Sequence, residues 1–226
     1  MKRIAAFLLA VGLTVSAGAT TMKRYTLLEV RDTAETVFIG EAVSTSTRLV
    51  ANGKIVATDY VIRVKEVLRG SVGSTTTVTF IGGKHGEREM YVAGSPTLKP
   101  GQTYVFFRTK QPNNTTVGWG QGLFLVETAR VNGVDRPVII SAEGLQLVIE
   151  GGKLAVGSKV ELANGELRKV ATHQHDLDAP HSLGTPFNAD GSPARRVKPI
   201  ESNAVTIETP ASLDDLRAFV RAGITK

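Results

Sequence analysis

The dipeptide Asn-Gly occurs at 52–53, 132–133 and 164–165, each time between stretches rich in β-forming residues. Asn and Gly readily take the positive φ angles of tight hairpin turns. A related pair, Gly151-Gly152, separates the apolar stretches 147–149 and 154–156. These four dipeptides predict a chain that folds back on itself repeatedly as antiparallel strands.

Alternation of apolar and polar residues supports the same interpretation. Tyr60, Ile62 and Val64 fall on one face of an extended chain, whereas Arg63 and Lys65 fall on the other. A half-buried strand requires this period of two. Strand-like stretches recur at short spacing with no helical pattern between them, which argues against parallel βαβ units. The predicted fold class is therefore all-β, a barrel or a sandwich.

The sequence predicts helices only near its ends. The stretch 26–33 suits a short helix or turn, and 213–222 suits a C-terminal helix with Ser212 as N-cap and Gly223 after its end. Between 179 and 210 the chain has five prolines and few apolar residues. That composition predicts an extended connection.

The first residues have the pattern of a secretory signal. Lys2 and Arg3 precede an apolar run at 4–15, and small residues at 17–19 end it. Cleavage after Ala19 would leave Thr20 as the mature N-terminus. The apolar run is shorter than the about 20 residues of a membrane-spanning helix. We therefore expect a secreted or periplasmic protein with no membrane span.

Composition excludes several kinds of chemistry. The chain has no cysteine, which rules out disulfides, thiol nucleophiles and cysteine-ligated metals. Its formal charge of +6 becomes +4 once Lys2 and Arg3 leave with the signal. Because basic residues are scattered and aromatic residues are sparse, we expect no nucleic-acid partner. The sequence also lacks the GxSxG and phosphate-loop motifs, which favours a protein that is not an enzyme.

Three of the four histidines lie close together at His173, His175 and His181. With Asp176 or Asp178 they could ligate a divalent first-row metal such as zinc, if the chain folded back on itself. The spacing differs from the helical HExxH zinc motif. The alternative is a polar stretch that leads into the proline-rich connection and holds no cofactor, and this alternative is favoured.

The single tryptophan, Trp119, lies in the glycine-rich stretch 118–122 together with Gln121. Glycines on both sides could let the backbone pack around the indole ring, or could leave the ring exposed as a contact. Tryptophan at an interface contributes strongly to binding. Trp119 and Gln121 therefore form a candidate contact loop.

Several stretches resemble a group of exported bacterial proteins. They are Leu27-Leu28, the stretch 37–40, YVIRVKEVLRG at 60–70, Gly94-Ser95-Pro96, KPGQ at 99–102 and the strand-like 104–107. The first domain of those proteins is similar to the OB-fold barrel of tissue inhibitors of metalloproteinases, also called TIMP-like or netrin-like. The resemblance implies an OB-like Greek-key barrel. The animal inhibitors place an N-terminal cysteine on the protease zinc, but this chain has Thr20 at the corresponding place and no cysteine.

The predicted organisation has five parts: a signal peptide at 1–19, an OB-like barrel at 20–128, a β-hairpin extension at 129–178, a linker at 179–210 and a C-terminal helix at 211–226. The expected function is that of an exported binding protein without enzymatic activity. Its partner would be a protein, such as an exported metalloprotease, or an envelope component. The alternative function is a metal-dependent hydrolase centred on His173, His175 and His181.

Overall fold

The computed structural model describes residues 23–109, 116–170 and 208–223. In chain order, the elements of these residues are α1 Leu27–Thr33, β1 Thr36–Val50, β2 Ile55–Arg69, β3 Thr75–Ile81, β4 Gly83–His85, β5 Arg88–Met90, β6 Thr103–Arg108, a 3-10 helix Trp119–Gly122, β7 Leu123–Val131, β8 Val134–Ser141, β9 Leu145–Glu150, β10 Lys153–Ala163, β11 Glu166–Lys169 and α2 Leu213–Ala222.

The strands of the first half form a Greek key. β1, β2 and β3 follow one another as antiparallel neighbours, and β6 returns to pair with the other edge of β1. In the resulting order β6-β1-β2-β3, the fourth strand lies beside the first, as in a Greek key. β7 pairs with the remaining edge of β6. These five strands are here called the Greek-key sheet.

β1 is irregular where it pairs with β2. Its ladder with β2 shifts register at three places, one of them between Ile39 and Gly40. A Cβ atom on Gly40 would lie 2.5 Å from Ile62 Cγ2 and 3.1 Å from the Arg63 carbonyl oxygen. Glycine therefore allows the two strands to approach closely at a bulge.

A second set of strands closes completely, and we call it the ring. β7 to β11 are antiparallel neighbours in chain order. β11 then pairs in parallel with β7, opposite Arg130. The Arg130 N–H donates to the Gly165 carbonyl at 2.8 Å. This pairing closes the five strands into a ring, and β7 belongs to both the ring and the Greek-key sheet.

The predicted glycine turns are confirmed. The turns 132–133, 151–152 and 164–165 each join two strands through two residues with positive φ. Asn52-Gly53 differs, because Val50 pairs with Ile55 and the loop therefore has four residues. Asn52 and Gly53 have φ angles of 54° and 78°.

Three clusters of buried apolar side chains form the core of the described part of the fold. The first lies within the Greek-key sheet and includes Phe38, Phe80 and Phe106. The second lies within the ring and includes Val138 and Leu167. The third packs both helices against strands of both parts, and its buried members are Val30, Ala34, Val37, Ile39, Val105, Phe107, Val117, Phe124, Ile139, Leu147, Ala211, Leu216 and Val220.

Each helix begins with its own cap. The Thr26 hydroxyl accepts from the Glu29 N–H, and the Glu29 carboxylate accepts from the Thr26 N–H. Ser212 and Asp215 make the same reciprocal pair at the start of α2. Such capping boxes satisfy two backbone donors that the helix leaves free. Of the helix or turn that the sequence allows at 26–33, the structure shows a helix, and the predicted C-terminal helix at 213–222 is confirmed.

The predicted all-β barrel with a C-terminal helix is confirmed. β7 passes through residue 128, where the sequence places the end of the barrel domain, and residues 123–169 supply the ring. Within the described ranges, no helix has the length and apolar character needed to cross a bilayer.

Candidate binding surface

The segment between β3 and β6, residues 82–102, lies across one end of the Greek-key sheet. It begins at Gly82 and Gly83, whose φ angles of 115° and 109° favour glycine. A Cβ on Gly83 would also lie 2.3 Å from Thr58 Oγ1. The Thr58 hydroxyl donates to the Gly82 carbonyl at 2.6 Å, so the two glycines set the direction in which the segment leaves β3.

Hydrogen bonds to β1 and to the β1–β2 loop hold the β4–β5 hairpin of this segment. The Thr47 hydroxyl donates to the Lys84 carbonyl at 2.9 Å. His85 Nδ1 lies 2.9 Å from the Thr47 carbonyl oxygen, which fixes Nδ1 as the protonated nitrogen of the ring. The Arg88 guanidinium donates to the Gly53 carbonyl in the β1–β2 loop. The hairpin is therefore attached to the barrel at three points.

The return path of the segment is attached as well. The Ser95 hydroxyl donates to the Ile81 carbonyl at 2.6 Å. The Tyr104 hydroxyl accepts from the Lys99 N–H at 2.9 Å and donates to Gln102 Oε1 at 2.8 Å. Burial raises the pKa of Tyr104, so the hydroxyl keeps the proton that it donates.

Tyr60 also holds this segment by hydrogen bonds, at residues 97 and 98. It is 4% exposed, and burial raises the pKa of Tyr60, while hydrogen bonds to the Leu98 backbone and the Thr97 side chain act in the opposite direction. The residues 97–99 are thus held by two buried tyrosine hydroxyls.

A groove of about 380 Å³ opens between this segment and the strands beneath it. Tyr60 and Phe80 contribute to its lining from the sheet, and Glu89 is the only charged residue among the described residues that line it. The remaining lining residues are Thr45, Thr47, Thr58, Ile81, Gly82, Gly83, Met90, Tyr91, Val92, Ser95, Pro96, Thr97 and Leu98. The groove therefore offers a largely uncharged surface with hydroxyl and apolar groups side by side.

Tyr91 lies at this groove and is 89% exposed, the highest value among the large hydrophobic side chains of the described residues. It directly follows β5, which the hairpin contacts hold in place. Tyrosine presents a rigid ring with a polar end, a combination that is common at protein interfaces. Tyr91 and the groove together form the candidate binding surface.

The Trp119 turn contains the two candidate contact residues, Trp119 and Gln121. Gln121 Oε1 accepts from the Tyr25 N–H at 2.8 Å, and its Nε2 donates to the Lys23 carbonyl at 2.9 Å. The Gln121 side chain thus holds the first described residues against the turn. Trp119 is partly exposed and has a φ of 61°. The contact roles of both residues stay predictions.

A second groove, of about 240 Å³, joins the two regions. Pro96 and Ser95 line both this groove and the first one. Gly118, Gly120 and Gln121 line its other side. The Trp119 turn therefore borders the same surface as Tyr91, on the opposite side of residues 94–96.

Acidic groups on the neighbouring strands are paired. Burial would raise the pKa of Asp59, but hydrogen bonds from Arg48 and Thr79 outweigh it and keep the pKa below its ordinary value. A hydrogen bond from Lys65 lowers the pKa of Glu41. Both carboxylates are therefore ionised at neutral pH, whereas a general acid or base requires a pKa near the working pH.

The candidate metal ligands His173, His175 and His181 lie outside the described residues, as does Thr20. Within 23–109, 116–170 and 208–223, no group of three histidine or acidic residues comes close enough to hold a metal ion. The metal site and the N-terminal site both stay predictions.

The sequence interpretation missed Tyr91 and the groove. Met90 and Tyr91 follow charged residues in EREMYV, a pattern that suits a strand end equally well. The signal that could have identified them is Gly82-Gly83, which interrupts an apolar strand and marks a change of direction.

Comparison of the chain with protein-family models, with curated proteins and with solved structures finds no match in any of the three.

Proposed function

We propose that this chain is an exported binding protein that recognises a protein partner or an envelope component without transforming it. The groove beside Tyr91 is the contact surface. The proposal rests on one observation above all: an aromatic side chain is 89% exposed beside a groove whose walls are fixed by hydrogen bonds.

Preorganisation supports a role in binding. Loops that must become ordered on association lose affinity, whereas a surface that is already fixed avoids that cost. Hot spots in protein interfaces are enriched in tyrosine and occupy well-packed pockets. The fixed hairpin avoids the ordering cost, and it presents beside the groove a tyrosine, the residue type in which hot spots are enriched.

The chemistry of the groove indicates the kind of partner surface. Among the described residues of its lining, Glu89 alone is charged, so recognition depends on shape and short-range contact more than on electrostatic steering. The partner contributes an apolar or uncharged polar group that packs against Tyr91. An exported metalloprotease and an envelope component are the two partner classes that the sequence suggests.

Export is part of the proposal and has its own test. N-terminal sequencing of the protein recovered outside the cytoplasm of cells that express it should begin at Thr20. A mature chain that still carries Lys2 and Arg3 would contradict export by signal cleavage.

The binding surface is tested by site-specific photo-crosslinking in those cells. A photoreactive amino acid replaces Tyr91 in one strain and Val134 in another. Val134 is 51% exposed on β8 and does not line the groove, so it serves as an exposed control away from the proposed surface. We expect discrete adducts from position 91 and not from position 134.

A third strain carries the photoreactive residue at Trp119. It distinguishes contacts on the Trp119 side of the surface from contacts on the Tyr91 side. Once an adduct is identified, Tyr91→Ala should weaken binding of the purified partner by about tenfold or more, as truncation of a hot spot does, while Val134→Ala should leave it unchanged. Equal adducts from positions 91 and 134, or none from 91, would refute the proposed surface.

A further inference from the structure

Residues 208–223, here called the C-terminal segment, dock on the barrel in two ways at once. Their first part pairs with a strand edge, and their second part, α2, covers an apolar surface. Strand addition and helix-in-groove docking are two recurring modes of peptide recognition. The structure therefore shows a peptide-recognition site occupied by a segment of the same chain.

The strand-like part adds to β9. The Ile149 N–H donates to the Thr209 carbonyl at 3.1 Å, and the Ala211 N–H donates to the Leu147 carbonyl at 2.9 Å. Pro210 lies between them, opposite Val148. Pro210 has no N–H to donate, so the backbone hydrogen bonds to β9 are made by its two neighbours, Thr209 and Ala211.

Glu208 fixes the start of the segment. Its carboxylate accepts from the Ser158 N–H at 3.1 Å and from the Ser158 hydroxyl at 3.0 Å, and it lies 3.3 Å from Lys169 Nζ. A Cβ on Gly157 would lie 2.2 Å from Glu208 Oε2. The glycine thus leaves the space that the carboxylate occupies.

The helix contributes apolar contacts and a specific ion pair. Leu216 and Val220 are fully buried in the cluster shared with α1 and the strands. Arg217 donates to both carboxylate oxygens of Glu66 on β2, at 2.9 and 2.7 Å. A bidentate pair of this kind adds geometric specificity to the apolar contact.

None of these contacts depends on the chain connection. Glu208 and Lys169 are 39 positions apart, and Arg217 and Glu66 are 151 positions apart. The capping box at Ser212 and Asp215 lies within the segment itself. The site would therefore make the same contacts with the C-terminal segment of another copy.

We propose that the site accepts the C-terminal segment of a second copy of this chain, and that two copies exchange their segments to form a symmetric dimer. Reciprocal exchange of an identical element creates a closed twofold assembly that uses contacts already present in the monomer. The chain's own segment competes through its effective concentration, so the monomer prevails in dilute solution and exchange requires a high protein concentration. The exchange is independent of the proposed function.

A charge-reversal pair tests this proposal on the full-length chain. Glu66→Arg places two cations together within one copy, and Arg217→Glu places two anions together within one copy. If the two variants exchange segments, the arginine introduced at position 66 of one copy meets the glutamate introduced at position 217 of the other. The native Glu66–Arg217 pair forms at the second site, so exchange between the two variants removes both repulsions.

We expect each variant alone to be a monomer of reduced stability. Co-expression with two different affinity tags should yield a complex that survives both purification steps and has twice the monomer mass by light scattering. Co-expression keeps the test valid if either variant fails to fold alone, because exchange would then restore soluble protein.

Two controls define the outcome. Glu66→Arg and Arg217→Glu combined in one chain restore the pair within a copy and should give a stable monomer in dilute solution. Reversing Arg48 and Asp59 in separate copies disturbs an ion pair within the β1–β2 hairpin, 11 positions apart, and should give no complex. If the double variant folds while the co-expressed single variants never form a heterodimer, the exchange proposal is wrong.

Discussion

Gln146 carries an amide into the apolar interior of the ring. It is 1% exposed and lies opposite Ile140, a member of the ring cluster. Residues paired directly across a ladder point to the same face, so the amide lies among aliphatic groups. Its Nε2 has no hydrogen-bond partner within the part of the chain that the structure describes.

Gln146→Met should therefore stabilise the protein. Methionine has a similar shape and no polar group, whereas a buried donor without a partner costs about 1–3 kcal/mol. We expect the free energy of unfolding in urea to rise by about 1 kcal/mol.

Gln121→Met provides the matched control, because that amide bonds to the backbone at Lys23 and Tyr25. It should lower the free energy of unfolding. A loss of stability in Gln146→Met would show that the Gln146 amide is satisfied after all.

Three carboxyl groups that dock or cap α2 have pKa values below their ordinary values in the folded protein. A hydrogen bond from Arg217 lowers the pKa of Glu66. The Ser158 N–H lowers the pKa of Glu208, and the Ser212 hydroxyl lowers the pKa of Asp215. All three belong to the docking or the capping of the C-terminal segment.

Acid should consequently loosen this segment before the barrel. A carboxyl with a lowered pKa in the folded state stabilises the fold above its ordinary pKa, which for glutamate is about 4.3. This contribution is lost as pH falls through the folded value. We expect protection of the α2 amides against hydrogen exchange to decrease from about pH 6 to about pH 3, after correction for intrinsic rates.

Glu66→Gln should reduce this pH dependence, because one of the three titrating groups is gone. Amides of β1 and β2 serve as the internal control. Equal loss of protection in α2 and in these strands would indicate global unfolding instead of local release.

The buried face of α2 contributes to the stability of the fold. Leu216 is fully buried, so Leu216→Ala removes apolar contacts and leaves a cavity that costs about 2–5 kcal/mol. Chemical denaturation should show this loss. Leu28→Ala on α1 is the control, since Leu28 is 56% exposed and its truncation should have little effect.

Elements with local signals were predictable from the sequence. The Asn-Gly turns follow from positive φ angles at single residues, and the start of α2 follows from Ser212 and Asp215 within the helix itself. The ring was not predictable in this way. The pairing that closes it joins Glu166 to Arg130, and no property of either residue specifies the other.

The candidate site shows the same limit. Tyr91 is exposed because Thr47, His85 and Arg88 hold the hairpin that precedes it. Those contacts join positions that are 35 to 38 residues apart. The structure adds that the Gln121 amide bonds to the backbone at Tyr25 and Lys23, which a residue type alone cannot reveal.

At the scale of the whole molecule, one apolar cluster connects all parts. It contains Val37 of the Greek-key sheet, Ile139 and Leu147 of the ring, and Leu216 of α2. Burial of this kind couples the parts, because none of them can separate without exposing apolar surface of another.

The molecule should therefore unfold in a single transition. The fluorescence of Trp119, the only tryptophan, reports on the turn before β7, whereas far-ultraviolet circular dichroism reports on all strands. We expect the two urea curves to coincide, as two-state unfolding requires. Separate midpoints would show that the Greek-key sheet and the ring unfold independently.

β7 pairs with β6 through residues 123–126 and with β11 at Arg130. The backbone of one strand therefore runs from the Greek-key sheet into the ring, with no loop between them where φ and ψ could change freely. Domain pairs joined by a loop can pivot when a ligand binds. If the proposed partner binds at Tyr91, its effect on the ring would be transmitted through the twist of β7.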